Sequence, residues 1–255
     1  MQTQKDPYTL SSVKNALRIL SSFSSEEPEK RVTDIAKHLG ISKSTVSRLM
    51  STLAEEGFVV QNQKTRKYRL GLPVLSLFNA VDHSLEIRRE ARATIRRLVE
   101  RAGENVHLVT TDRTDVFYLD TYERKYPERL YAQVGARNPM YCTSSGKVLL
   151  AYRKSELMRA VIQRGLKPYT PRTITNEKMF LTTLDEVSKH GYAASMEELF
   201  EGVCSVAAPI RDYSGSVVAA VSIVGPKQRI NSRTMGMYAK LAVEAAREIS
   251  VRLGY

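Results

Sequence analysis

GISKSTVSRLMSTLAEEG, residues 40–57, decides how the rest of the chain is read. At about 100° per residue, Val46, Leu49, Met50 and Leu53 fall on one side of a helical wheel, and Ser44, Ser47, Arg48 and Ser51 fall on roughly the opposite side. One face is core; the other is small, hydroxylated and cationic. Wet helix faces usually carry long Glu and Lys side chains, whereas short Ser and Thr around one Arg leave a helix slim enough to enter a DNA major groove. An ordinary solvated helix has the same face, so this stretch alone leaves both readings open.

The flanking residues narrow the choice. RVTDIAKHLG (31–40) predicts a second helix, with Thr33 as candidate N-cap, Ile35, Ala36 and Leu39 as its stripe and Gly40 as C-cap. Ile41 follows, then a new N-cap at Ser42. Two short helices joined through a glycine and an apolar residue form a helix-turn-helix, whose second helix reads DNA with its N-terminal residues. Ahead of them, residues 10–23 predict a helix with Val13, Leu17, Leu20 and Ala16 as its stripe. Behind them, 58–60 and 68–70 read as short strands around the polar turn 61–67, a hairpin wing. Lys64, Arg66, Lys67 and Arg69 lie there without an acid, which suits sugar-phosphate contacts. A surface hairpin with incidental lysines is the alternative.

The chain has 255 residues, with 39 Lys and Arg against 27 Asp and Glu, for a net charge of +12. The first 72 residues carry +5 and the other 183 carry +7, so charge density is nearly doubled at the front. Such an excess attracts polyanions, nucleic acid first. Length allows one large or two ordinary domains. MQTQKDPYTL at the start has no secretion-type apolar run, and no window approaches the ~18 apolar residues of a membrane span. A soluble, cytoplasmic protein without a membrane partner is expected. Cys142 and Cys204 form no CxxC pair and are expected to be reduced.

Beyond Pro73 the chain turns helical again, with Ile87, Ala91, Ile95, Leu98, Val99 and Ala102 at helical spacing among Arg88, Arg89, Arg92, Arg96 and Arg97. This helix would connect domains and carry dimer contacts; its arginines are either a solvated face or an aid to DNA binding. VHLVTTD (106–112), DVFYLDTYE (115–123) and RLYAQVG (129–135) alternate as strands. Helices are predicted over 144–152, 154–164 and 177–190, strands over 192–195, 203–211 and 217–224, and a last helix capped at Asn231, closing at Gly254, with Tyr238, Leu241, Ala242, Ala245 and Ile249 as its stripe. Without a strict βαβ rhythm, the fold class is α+β, with a mainly antiparallel sheet flanked by helices.

ALRILSSF (16–23), VTDIAKHLGISKSTVSRLMSTLAEEGFV (32–59) and YRLGLPVLSL (68–77) resemble the winged helix-turn-helix of IclR-type transcriptional regulators. ENVHLVTTDRTDVFYLD (104–120), NPMYCTSSGKVLLA (138–151) and HGYAASMEELFEGVCSVAAPIRDYSGSVVAAVSIVGP (190–226) resemble, in order, that family's GAF-like effector-binding domain. The resemblance implies a DNA-binding domain over 8–72 and a linker helix with an effector-binding domain over 73–255. It also implies a homodimer or homotetramer on a palindromic operator in double-stranded DNA, read here as a repressor, modulated by a small organic-acid effector. The DNA-contacting set is Thr33, Ser42, Lys43, Ser44, Thr45, Ser47, Arg48, Lys64, Arg66 and Lys67. Ser44, Ser47 and Arg48 are expected at base edges, Lys43 and Thr45 at bases or phosphate, and the wing cations at phosphate.

By the same resemblance the effector pocket is lined by Tyr141, Ser144, Ser145, Ser195, Met196, Ser205 and Ser222. Ser144 and Ser145 lie at a predicted helix N-terminus, whose free N–H groups favour a carboxylate. Packing and capping serines are the alternative. The family often has Asp where Ser195 stands, Cys where Ser205 stands and Ser where Val224 stands, so ligand identity does not carry over. A small-molecule enzyme of GAF-like fold carrying a DNA-binding domain is the competing class. TSSGKV (143–148) fails as a phosphate loop, because Tyr141 replaces the first glycine and Val148 the final Ser or Thr. Neither GxGxxG nor GxSxG occurs. His38, His83, His107 and His190 have no HExxH or HxxH spacing and are expected at the surface or packed. No catalytic residue, metal or cofactor is assigned.

Overall fold

Three helices and a hairpin open the first unit: α1 (Ser11–Leu20), α2 (Val32–Leu39), α3 (Lys43–Glu55), β1 (Val59–Gln61) and β2 (Tyr68–Leu70). The structure, a computed structural model, describes residues 10–24, 27–84, 86–123, 132–153 and 155–255. Ile19, Ile35, Val46, Met50 and Val59 are buried together, with Leu20, Phe23, Leu39, Leu49 and Leu53 packed around them. The apolar stripe of α3 therefore supplies the centre of this small core. Gly40 ends α2 at φ 64°, and Ser42 caps α3 by accepting from the Thr45 N–H at 3.2 Å.

The wing closes on backbone contacts. Gly71 N–H donates to the Phe58 carbonyl at 2.8 Å, and a Cβ at Gly71 would lie 1.8 Å from the Gly57 oxygen, so only glycine fits. Lys30 and Tyr68 exchange N–H···O bonds at 2.9 and 2.8 Å, which ties the entrance of α2 to the wing. α4 (Pro73–Ser84) follows, and contacts divide the chain into Met1–Ser84 and Leu85–Tyr255.

The second unit contains α5 (Glu86–Ala102), β3 (Asn105–Asp112), β4 (Asp115–Tyr122), β5 (Arg137–Pro139), α6 (Ser144–Ala151), α7 (Ser155–Arg164), α8 (Glu177–His190), β6 (Ala193–Met196), β7 (Val203–Arg211), β8 (Val217–Pro226) and α9 (Met235–Arg252). The strands form one antiparallel sheet in the order β5-β4-β3-β8-β7-β6. Period-two alternation divides its side chains between two cores. Val106, Leu108, Cys204, Val206, Ala208, Val221 and Ile223 pack with α5 and α9. Val109, Tyr118, Ala193, Ala207 and Ala220 pack on the other face with the α6, α7 and α8 layer. The α+β class and the flanked antiparallel sheet are thus as expected.

Several local expectations need correction. Val13 and Leu17 are 52% and 60% exposed, because the small core takes up Ile19 of α1 instead. Thr33 is not the N-cap of α2: Arg31 occupies that place, its N–H donating to Asp34 Oδ2 at 3.3 Å. Asn231 heads a turn that precedes the cap, its Oδ1 accepting from Arg233 N–H, and α9 starts at Met235 after the N-cap Thr234. Residues 132–135 form no strand and pairing is taken up by β5; residues 129–131 of that expected strand, like the His83 side chain, lie outside the described residues. The arginines of α5 are the solvated face that was one of the two readings: Arg92, Arg96 and Arg97 are exposed, Arg97 pairing with Glu248 at 2.5 Å, while Arg88 pairs with Asp120 at 3.3 Å.

Candidate functional site

The outward face of α3 is Lys43, Ser44, Thr45, Ser47, Arg48 and Ser51, all exposed, over a floor of buried Val46 and Met50. Ser42 is committed to the cap, its Oγ also lying 3.1 Å from Ser44 Oγ and 2.8 Å from Thr45 Oγ1. This pins the first turn of the helix, where base-edge contacts are made in helix-turn-helix proteins. Thr33 is exposed on the first turn of α2. In the wing, Asn62 Oδ1 accepts from the Lys64 and Thr65 N–H groups at 3.0 and 3.2 Å, and Arg66 turns through φ 58°. That turn holds Lys64 and Arg66 at the exposed tip, with Lys67 half-buried at its exit. The unit therefore presents a slim hydroxyl-rich helix and a basic tip, the two kinds of contact that specific DNA binding requires.

The second unit holds a pocket that is partly open to solvent, with about 420 Å³ of space between its lining atoms, open solvent included. Strand register builds its floor. Ser195, Ser205 and Val224 pair successively across β6, β7 and β8, and the neighbouring row across β7, β8 and β3 is Ala207, Ser222 and His107. The start of α6 forms its wall, with Ser144 Oγ 2.8 Å from Ser205 Oγ and Ser195 Oγ donating to the Cys142 carbonyl at 3.1 Å. Thr143 caps α6 by accepting from Gly146 N–H at 3.1 Å. A Cβ at Gly146 would lie 2.2 Å from the Met140 carbonyl oxygen, so glycine lets this helix sit hard against the preceding turn. Helix geometry gives the N–H groups of Ser144 and Ser145 no intrahelical acceptor.

Five of the seven residues expected around an effector line this cavity: Ser144, Ser145, Ser195, Ser205 and Ser222. Met196, the neighbour of Ser195, points to the opposite face and packs beside the α5 and α9 core, as alternation along a strand requires. Tyr141 donates to the Lys167 carbonyl at 2.7 Å and lines a different pocket with Asp115, Arg164 and Tyr169. Sequence reasoning missed His107, Tyr118, Asn138, Leu199 and Phe200, which also line the serine cavity. His107 is 2% exposed and its Nε2 has no hydrogen-bond partner. Burial lowers its pKa to about 4, so the imidazole is neutral at pH 7. Tyr118 meets it edge-on at 5.2 Å and accepts a 3.1 Å bond from Asn138. Burial, with the Glu198 charge adding to it, pushes the Cys142 thiol up to about 12.

Behind α6, Lys147 is 1% exposed and pairs with Glu198 at 2.5 Å. Thr170 and Thr173 donate to the Glu197 and Glu198 carbonyls at 2.6 Å each. These bonds fasten the segment after β6, which carries Leu199 and Phe200 to the lining of the cavity. Among the described residues, no group of three or more His, Cys, Asp and Glu is placed to hold a metal ion, and no helix is long and apolar enough to cross a membrane.

Residues 12–63 match the family described as the IclR helix-turn-helix domain, and residues 79–251 match the bacterial transcriptional regulator IclR C-terminal family. The chain is 34% identical over 252 residues to the HTH-type transcriptional regulator KdgR of Escherichia coli (strain K12), covering 98% of this chain and 95% of that one. It is 30% identical over 243 residues to the E. coli K12 HTH-type transcriptional repressor AllR, covering 95% and 90%. Among solved structures, an IclR homologue from Microbacterium hydrocarbonoxydans complexed with 4-hydroxybenzoate has a TM-score of 0.84 at 26% identity, covering 95% of this chain and 99% of that one.

Proposed function

This chain belongs to the IclR family of bacterial transcriptional regulators and is a DNA-binding regulator, and from that premise we propose a repressor whose hold on its operator is set by a small organic acid. In this reading residues 8–72 bind a palindromic operator and residues 73–255 bind the acid. Ser44, Ser47 and Arg48 face base edges. Lys43 and Thr45 reach bases or phosphate, Ser42 holds their turn in place, and Lys64, Arg66 and Lys67 take phosphate, with Thr33 at the edge of the contact. The observation that carries the proposal is the pairing, in one chain, of an exposed Ser/Arg helix face with a separate pocket lined by Ser144, Ser145, Ser195, Ser205 and Ser222. Free N–H groups at the start of α6 suit the acid's carboxylate.

A palindromic site calls for a two-fold assembly, dimer or tetramer. Exposed Leu10, Val13 and Leu17 on one edge of α1, and Leu72, Leu75 and Leu77 around α4, support it, since such apolar surface is usually covered by a partner. A cytoplasmic location follows from the DNA partner. No reaction is assigned: burial pushes the Cys142 thiol up to about 12, which disfavours its thiolate at neutral pH. Turnover of a bound acid by the purified protein would overturn that point. The function is tested by binding assays on the promoter beside the protein's own gene. Arg48→Ala should cost about 1–3 kcal/mol and relax one base preference, and Lys64→Ala should weaken all sequences alike and lower the salt slope by about one. Unchanged operator discrimination in the Arg48 variant would refute the readout.

A further inference from the structure

We propose that His107 selects the effector by its uncharged end: the cavity takes a monocarboxylate bearing a hydroxyl group remote from the carboxylate, in preference to the plain acid or the dicarboxylic acid of the same framework. The proposal rests on the reading that the serine cavity is the effector site. Its own ground is an unpaired group. His107 is 2% exposed, lines the cavity, and leaves Nε2 buried without a partner. A buried polar nitrogen left unsatisfied costs free energy that a ligand can recover.

Position separates this group from the α6 terminus. Ser205, which touches Ser144, lies on β7, and His107 lies on β3 with β8 between them. Two strand spacings put their backbones about 10 Å apart. A ligand with its carboxylate at α6 therefore reaches His107 with its other end.

Chemistry at that end favours a neutral oxygen. Among the described residues, no Lys, Arg, Asp or Glu lines the cavity. Burial keeps His107 uncharged, so a second carboxylate would be desolvated without a cation to meet it. An alkyl end would leave Nε2 as it is. A hydroxyl both donates and accepts, and so satisfies Nε2 in either tautomer. Tyr118 helps, because its oxygen accepts from Asn138 and its own proton remains to be donated.

The test is isothermal titration of the purified full-length chain with matched triads. Suitable sets are butyrate, 4-hydroxybutyrate and succinate, then benzoate, 4-hydroxybenzoate and terephthalate, with three-, five- and six-carbon aliphatic sets alongside. In the best-binding framework the hydroxy acid should exceed both partners by at least about tenfold, as expected where a site's polar groups are otherwise left unpaired. His107→Phe should erase that preference while the plain acid still binds. His107→Gln, which keeps a donor and an acceptor, should retain part of it, and cooperative thermal unfolding of each variant checks its fold. A plain acid or dicarboxylate binding as tightly as its hydroxy counterpart overturns the proposal, as does a preference that survives His107→Phe. If no acid of any framework binds, the effector reading itself fails and takes the proposal with it.

Discussion

His107 is the residue on which burial and charge meet most sharply. An imidazole that titrates near 6.5 in the unfolded chain is lowered to about 4 by burial in the folded one. Between those values the unfolded state binds the proton and the folded state does not, so stability is complete above pH 6.5 and is lost as pH falls toward 4. The loss from this group amounts to about 3 kcal/mol. Urea unfolding at pH 7 and pH 4.5 should give a larger drop for the wild type than for His107→Phe; equal drops would mean that the histidine is solvated. Sequence gave little warning of this residue. A single histidine in an alternating strand reads as packed or exposed, and only the pairing of β3 with β8 sets it beside Ser222. Ser195 and Met196 carry the converse lesson, since adjacent strand residues cannot both line one cavity.

At the scale of elements, the cavity depends on how α6 and the segment after β6 are held together. Lys147 and Glu198 are 1% and 6% exposed, and Glu198 Oε2 has no partner beyond the pair. Lys147→Ala should therefore leave an uncompensated carboxylate in the core and cost about 3–5 kcal/mol, whereas the double variant Lys147→Met with Glu198→Leu should recover most of it. Denaturation midpoints would decide; a single variant as stable as the double would mean that water already reaches the carboxylate. Elements themselves were well marked in the sequence. Helical stripes located α2, α3, α5 and α9, and a basic turn between two short apolar runs located the wing. Ends and faces were less legible. Asn231 and Thr33 looked like caps because the residue type suits one, but backbone geometry chose Thr234 and Arg31. Val13 and Leu17 fit a stripe that the core of the first unit, among the described residues, does not take up.

In the proposed function the whole molecule joins two binding events of different physical character. Charge density is greatest in the first 72 residues, where the wing cations lie, while among the described residues no charged side chain lines the serine cavity. Operator binding should then fall steeply with salt through counterion release, and effector binding, to a buried site, should hardly change. If the two events are coupled by about 1–3 kcal/mol, acid binding lowers operator affinity by roughly 5- to 150-fold, and operator DNA lowers acid affinity by the same factor. That equality turns the proposal into a closed box of four measurements: operator binding with and without acid, and acid binding with and without operator. At 50 and 200 mM salt the operator affinities should differ by orders of magnitude, with the coupling factor nearly unchanged. An acid that binds with equal affinity to free and operator-bound protein has no leverage on the DNA, whatever its fit to the cavity, and finding the tightest ligand to be of that kind would remove the switch.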